Sequence, residues 1–156
     1  MVKHLISSKI RSSLPYAYAR SGRDARDEII RVLTKLGCTE VGFLDNFEDH
    51  TVTLHFKHRS HTVCLRVDAQ GWVKLFLRTN PHTSRNKMSR EEYEQRIIEQ
   101  GQISVNSILR DWVKGQVTAI ECGIVSFEDV FLPFTMLPSG ETVSERVKGR
   151  NLLALE

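Results

Sequence analysis

The spacing of apolar side chains changes several times along this chain, and each change marks an element. Ala25, Ile29, Leu33 and Leu36 recur every three or four positions from about Gly22, the repeat that lines one face of an α-helix. Asp24, Asp27 and Glu28 stand near its start, where the helix dipole favours negative charge, and Gly37 follows its last apolar residue as a left-handed cap. The period then drops to two. Val52, Leu54 and Phe56 alternate with Thr51, Thr53 and His55, and Val63, Leu65 and Val67 alternate with Thr62, Cys64 and Arg66, as in strands with one buried face. Val41 to Leu44 predicts an earlier strand ending at Asp45-Asn46, and Trp72 to Arg78 a later one, entered through a turn at Asp68 to Gly71. The expectation is an antiparallel meander of three or four strands.

A polar loop from Thr79 to Met88 follows, and Ser89 stands three residues before Glu92, the spacing of a helix-starting capping box. Gly101 is expected to interrupt this second helix. Beyond it Val105, Ile108, Leu109, Trp112, Val113, Val117 and Ile120 form a broad apolar stripe that ends at Cys122-Gly123. Phe127, Phe131, Leu132, Phe134 and Leu137 then anchor an extended C-terminal tail with a turn at Pro138 to Gly140. The fold class is therefore α+β: a helix, a meander, a long helix packed on the sheet, and a tail. Residues 1–20 read as a basic, loosely ordered arm, 21–150 as one domain and 151–156 as a terminal tail.

Composition adds limits. With 40% hydrophobic and 26% charged residues, a chain of 156 residues has enough apolar material for one core. No run of about 18 apolar residues or signal-peptide core occurs, so the expected location is the cytoplasm. Cys38, Cys64 and Cys122 form no Cys-x-x-Cys pair and are expected as reduced thiols. Charge is unevenly placed: residues 1–35 hold eight Lys and Arg against Asp24, Asp27 and Glu28, a balance of +5, which within a total of +3 leaves −2 for the rest. A basic arm on a nearly neutral body suits an acidic partner or solubility alone.

The densest candidate chemistry is HFKHRSH, residues 55–61, with three of the six histidines and two cations. A zinc site needs further ligands held by the fold; His55, His58 and His61 would have to converge, with His82 as a fourth. Phosphate contact asks for less. Lys57, His58 and Arg59 at a hairpin tip, Arg66 and Lys74 on outward strand positions, and Arg85 with Lys87 in the loop make a candidate nucleic-acid surface. If Trp72 to Arg78 is a strand, Trp72 and Phe76 share parity with Lys74 and would stack bases on an open face, or join the core if the long helix covers it. No nucleotide-binding, nucleophile-elbow or zincin motif is present, and Glu128 with Asp129 are a weak basis for a magnesium nuclease. No catalytic residue, metal or cofactor is assigned.

The run ILRDWVKGQVTAIECGIVSFEDVFLPFTMLPSGETVSE, Ile108 to Glu145, resembles a widespread small protein family of tailed bacteriophages. Lys114, Val117, Ile120, Gly123, Ile124, Phe127, Glu128, Phe131, Leu132, Leu137, Pro138, Gly140, Thr142 and Val143 carry the likeness. Cys122, Asp129 and Ser139 depart from the family pattern. The family has no established activity, so the resemblance implies a phage origin and a host-cell cytoplasmic setting and transfers no site. The resulting expectation is a non-enzymatic nucleic-acid accessory protein, a replication or recombination helper that contacts DNA or RNA. The alternative is a protein-binding module, such as an inhibitor of a host protein or a homo-oligomeric component, using Phe127 to Leu137.

Overall fold

The computed structural model describes residues 14–153. Helix α1 (Gly22–Leu36) begins where the Ser21 hydroxyl accepts from the Asp24 N–H at 3.1 Å. It ends where Gly37 turns left-handed at φ 103°, the conformation that a glycine adopts without strain. Ala25, Ile29 and Leu33 are its buried stripe. Three strands follow in the order β1 (Glu40–Asn46), β2 (Thr51–His58) and β3 (His61–Asp68), antiparallel throughout. Phe43 pairs with Leu54 and Phe56 with Val63, so the apolar parities of neighbouring strands fall on one face.

That face is covered. Leu54, Phe56, Val63 and Leu65 pack in one cluster with Ile29 and Leu33 of α1 and with Leu109, Val113 and Val117 of α3 (Arg90–Glu121). The mixed α+β architecture with a long helix across the sheet is thus as the periodicity predicts. Helix α3 starts at the expected capping box, Ser89 and Glu92 each bonding the other's backbone N–H at 3.1 Å.

Two elements differ from expectation. Residues 72–78 are not a strand: they lie in helix α2 (Gln70–Thr79). Trp72, Val73, Phe76 and Leu77 stand at i, i+1, i+4 and i+5, a helical stripe that the seven-residue run carries as well as an alternating one. Asp68 Oδ1 accepts from the Gln70 N–H at 2.7 Å and bends the chain out of β3. Trp72, Val73 and Phe76 then meet Tyr93, Ile97 and Val105 of α3 in a second core cluster. Nor does Gly101 interrupt α3, which runs unbroken for 32 residues. A β-carbon at Gly101 would lie 2.6 Å from Val73 Cγ2, so the glycine marks the close approach of α2 and α3.

Residues 1–13 of the expected arm lie outside the described residues. Residues 14–19 are tied to the body: Trp72 Nε1 donates to the Pro15 carbonyl, Ser104 Oγ to Tyr16 and Gln100 Nε2 to Ala19 at 2.8–3.1 Å. The C-terminal segment is extended only locally. Ser126 caps α4 (Phe127–Phe131), a 3-10 turn spans Leu132–Phe134, and Thr142 with Glu145 form a capping box for α5 (Val143–Gly149). Between these helices Thr135 bridges Val63, and the Met136 N–H donates to the Thr62 carbonyl at 2.8 Å, covering the start of the outer edge of β3. No helix among the described residues is long and apolar enough to cross a membrane.

Candidate nucleic-acid interface

The HFKHRSH segment forms the end of β2, a two-residue turn and the start of β3, with His58 directly opposite His61. Arg59 occupies the turn at φ 53°, a conformation uncommon for a residue with a side chain. The turn length decides where the histidines go. His58 has the parity of Leu54 and Phe56, and His61 that of Val63 and Leu65, so both belong to the covered face. The His58 ring stacks on Phe127 at 4.2 Å and 22°, and the His61 ring lies tilted 6.4 Å from the same phenyl. Phe127 is itself buried against Phe56 and Phe131. The hairpin end is therefore seated on the first turn of α4. Nothing in the sequence joins Phe127 to this hairpin except its apolar character.

Burial, then the neighbouring Arg59 charge, pushes the His58 pKa below its ordinary 6.5, against weaker opposing effects from Glu128 and the Leu36 backbone. The Nδ1 atoms of both His58 and His61 are buried without a hydrogen-bond partner. His55 faces the other way, exposed on the open side of the sheet, with its Nε2 4.0 Å from Cys64 Sγ. His82 is elsewhere, bonded through Nε2 to the Met88 carbonyl at 2.8 Å. The three hairpin histidines thus do not converge, and among the described residues no group of three or more His, Cys, Asp or Glu is arranged to hold a metal ion.

The cations fall into separate groups. Lys57 and Arg66 share the uncovered sheet face, where Lys57 Nζ is 4.0 Å from Glu40 and Arg66 Nη2 is 3.4 Å from Asp49. Such exposed pairs contribute little, about 0–1 kcal/mol, and yield readily to a competing phosphate. Arg59 extends from the turn next to Lys57, whereas Arg66, opposite Thr53, lies towards the other end of the sheet. Lys74 is exposed on α2, while Arg85 and Lys87 are exposed in the loop before α3, where Thr83 and Asn86 form a turn. Trp72 and Phe76 are only 8% and 0% exposed and stack on each other at 5.3 Å. Their expected parity with Lys74 disappears with the strand, and a base has no access to them.

The segment Phe127 to Leu137 is likewise part of the body and not a continuous apolar surface. Phe127 and Phe131 are core residues, Thr135 and Met136 pair with β3, and Leu132 is the large apolar side chain of this run that stays exposed.

No protein-family model, curated protein or solved structure matches the chain. The site is a hairpin whose aromatic side is fixed on α4 and whose cationic side is open to solvent, with Lys57 and Arg66 in long exposed ion pairs.

Proposed function

We propose that the protein is a non-enzymatic, phage-encoded accessory protein that holds nucleic acid through its sugar-phosphate backbone, with the β2–β3 hairpin as the contact. The observation that carries this reading is the division of the hairpin into two sides. His58 and His61 fix it to Phe127, while Lys57, Arg59 and Arg66 are left on the tip and the uncovered face. A fixed hairpin loses little conformational freedom on binding, so its charges act at lower entropic cost than those of a mobile loop. Trp72 and Phe76 are in the core, so neither is open to stack on a base. Binding is then largely independent of sequence and dominated by release of counterions from the phosphates. Lys74, Arg85 and Lys87 lie on other elements and serve as secondary contacts for a longer strand.

Fluorescence anisotropy with labelled single-stranded and duplex DNA and RNA at two salt concentrations tests the proposal, with a Lys57→Ala/Arg59→Ala variant alongside. Salt-sensitive binding that the variant loses supports it. Absence of binding near physiological salt, or equal binding by the variant, rejects it.

A further inference from the structure

The two edges of the sheet are treated differently. The β3 edge is covered at its start, where Thr135 and Met136 of the same chain pair with Val63 and Thr62. Strand β1 is outermost on the other side, and among the described residues nothing pairs with its free edge. An unpaired edge presents a row of backbone donors and acceptors that can template a further strand. β1 carries no proline or lysine, and its charged residues are Glu40 and Asp45, the latter held by Arg26.

A shallow, open groove of about 580 Å³ runs along this edge between β1, the start of α1 and the middle of α3. Ile30, Phe43, Phe47 and Ile103 supply its apolar lining. Phe47 is 74% exposed in the β1–β2 turn and Leu44 is 62% exposed on the opposite side of the strand. Two large apolar side chains exposed on either side of an open strand edge suit an added strand, whose alternate side chains point into the groove and over Leu44.

Charge selects the occupant. Glu40, Asp45, Glu48 and Asp49 lie on β1 and its following turn, and Asp27 and Glu99 line the groove. Against them stand Arg23 and Arg26 at the groove and the long Lys57–Glu40 and Arg66–Asp49 pairs. Arg26 is committed: it donates to both Asp45 oxygens and lies 4.9 Å above the Phe43 ring. This edge is thus acidic in a chain of net charge +3. Pairing β1 with β1 of a second copy would bring both sets of carboxylates to one seam, and a nucleic acid would meet like charge. A cationic strand meets neither obstacle.

We propose that the free edge of β1 and the adjoining groove receive an extended segment of a partner protein in which Lys or Arg alternates with apolar residues, added as a fourth strand. The groove, at Phe43, Asp45 and Phe47, lies towards the β1–β2 turn, away from the Arg59 turn, while Glu40 and Asp49 of the same edge pair with Lys57 and Arg66 of the nucleic-acid surface. The test is selection from a display library of random dodecamer peptides on the full chain, with a Leu44→Lys/Phe47→Ala variant as counter-screen. Both positions are exposed, and circular dichroism checks that the variant folds. The expected pool alternates cationic with apolar residues and binds the variant at least tenfold more weakly. A selected peptide should shift the amide resonances of residues 40–47 in ¹⁵N-labelled protein. An acidic or compositionally random pool, unchanged binding to the variant, or shifts outside β1 and the groove would overturn the proposal. So would sedimentation showing that the edge is consumed by self-association.

Discussion

Two glycines of α3 should respond in opposite directions to the same substitution. In a helix interior Ala is favoured over Gly by about 1 kcal/mol. At Gly115 a new β-carbon meets nothing within 4 Å, so Gly115→Ala should be stabilising by about that amount. At Gly101 the same methyl lies 2.6 Å from Val73 Cγ2, 3.4 Å from Trp72 Cε3 and 3.7 Å from the Ala69 carbonyl oxygen. Val73 cannot swing away cheaply: it is buried, and a valine in a helix is held largely to one rotamer. Overpacking a core costs about 1–3 kcal/mol, which cancels or exceeds the helical gain and leaves Gly101→Ala between neutral and about 2 kcal/mol destabilising. Urea denaturation of the two variants, compared at equal slope, measures the difference. With a slope of about 2 kcal/mol per molar, Gly115→Ala should raise the midpoint by about 0.5 M and Gly101→Ala should lower it or leave it in place. In a Val73→Ala background, Gly101→Ala should become stabilising, a coupling of contacting residues. If Gly101→Ala raises the midpoint as much as Gly115→Ala in the native background, the close approach of α2 and α3 is wrong.

Three further outcomes follow from the same geometry. Trp72→Ala should cost about 3–5 kcal/mol, read as a lower Tm, whereas Trp72→Phe should leave nucleic-acid affinity unchanged; loss of affinity in that folded variant would restore a stacking role. Because the folded His58 pKa is depressed by burial, the unfolded chain protonates first, and this residue's contribution to stability declines as pH falls from about 7 through its ordinary value towards the folded one. His58→Phe should therefore flatten the stability profile as pH falls below about 7, and an unchanged profile would show that the ring does not titrate as described. Burial raises the Cys38 thiol to about 11, while Cys122 is exposed, so a thiol reagent at about pH 8 should modify Cys122 quickly and Cys38 only on unfolding; rapid modification of Cys38 in the folded state would contradict its placement.

Much of the fold was legible where two signals agreed. α1 had both a 3.6-residue stripe and a terminal glycine, and α3 had a capping box before its stripe. β2 and β3 alternated over enough residues to exclude a helix. The run at residues 72–78 fits either period, and the choice is made by the apolar surface of α3 that receives Trp72 and Phe76. The role of Gly101 depends on Val73, 28 positions earlier, so no local pattern announces it. The caps of α4 and α5 were present as Ser126 with Asp129 and Thr142 with Glu145, but their helices are too short to show a stripe. At the hairpin the cations were visible and the seat was not. A two-residue turn sends His58 and His61 to the covered face, and the phenyl that meets them comes from far along the chain.

The central claim is that Lys57, Arg59 and Arg66 contact phosphates. Its most direct test is the salt dependence of the association constant for single-stranded DNA, compared between the native protein and a Lys57→Ala/Arg59→Ala/Arg66→Ala variant. Each phosphate contact contributes about 0.7 to the slope of log K against log salt for a single strand, so loss of all three should lower it by about 2. An unchanged slope, whatever the change in affinity, would place the phosphate contacts elsewhere and contradict the account.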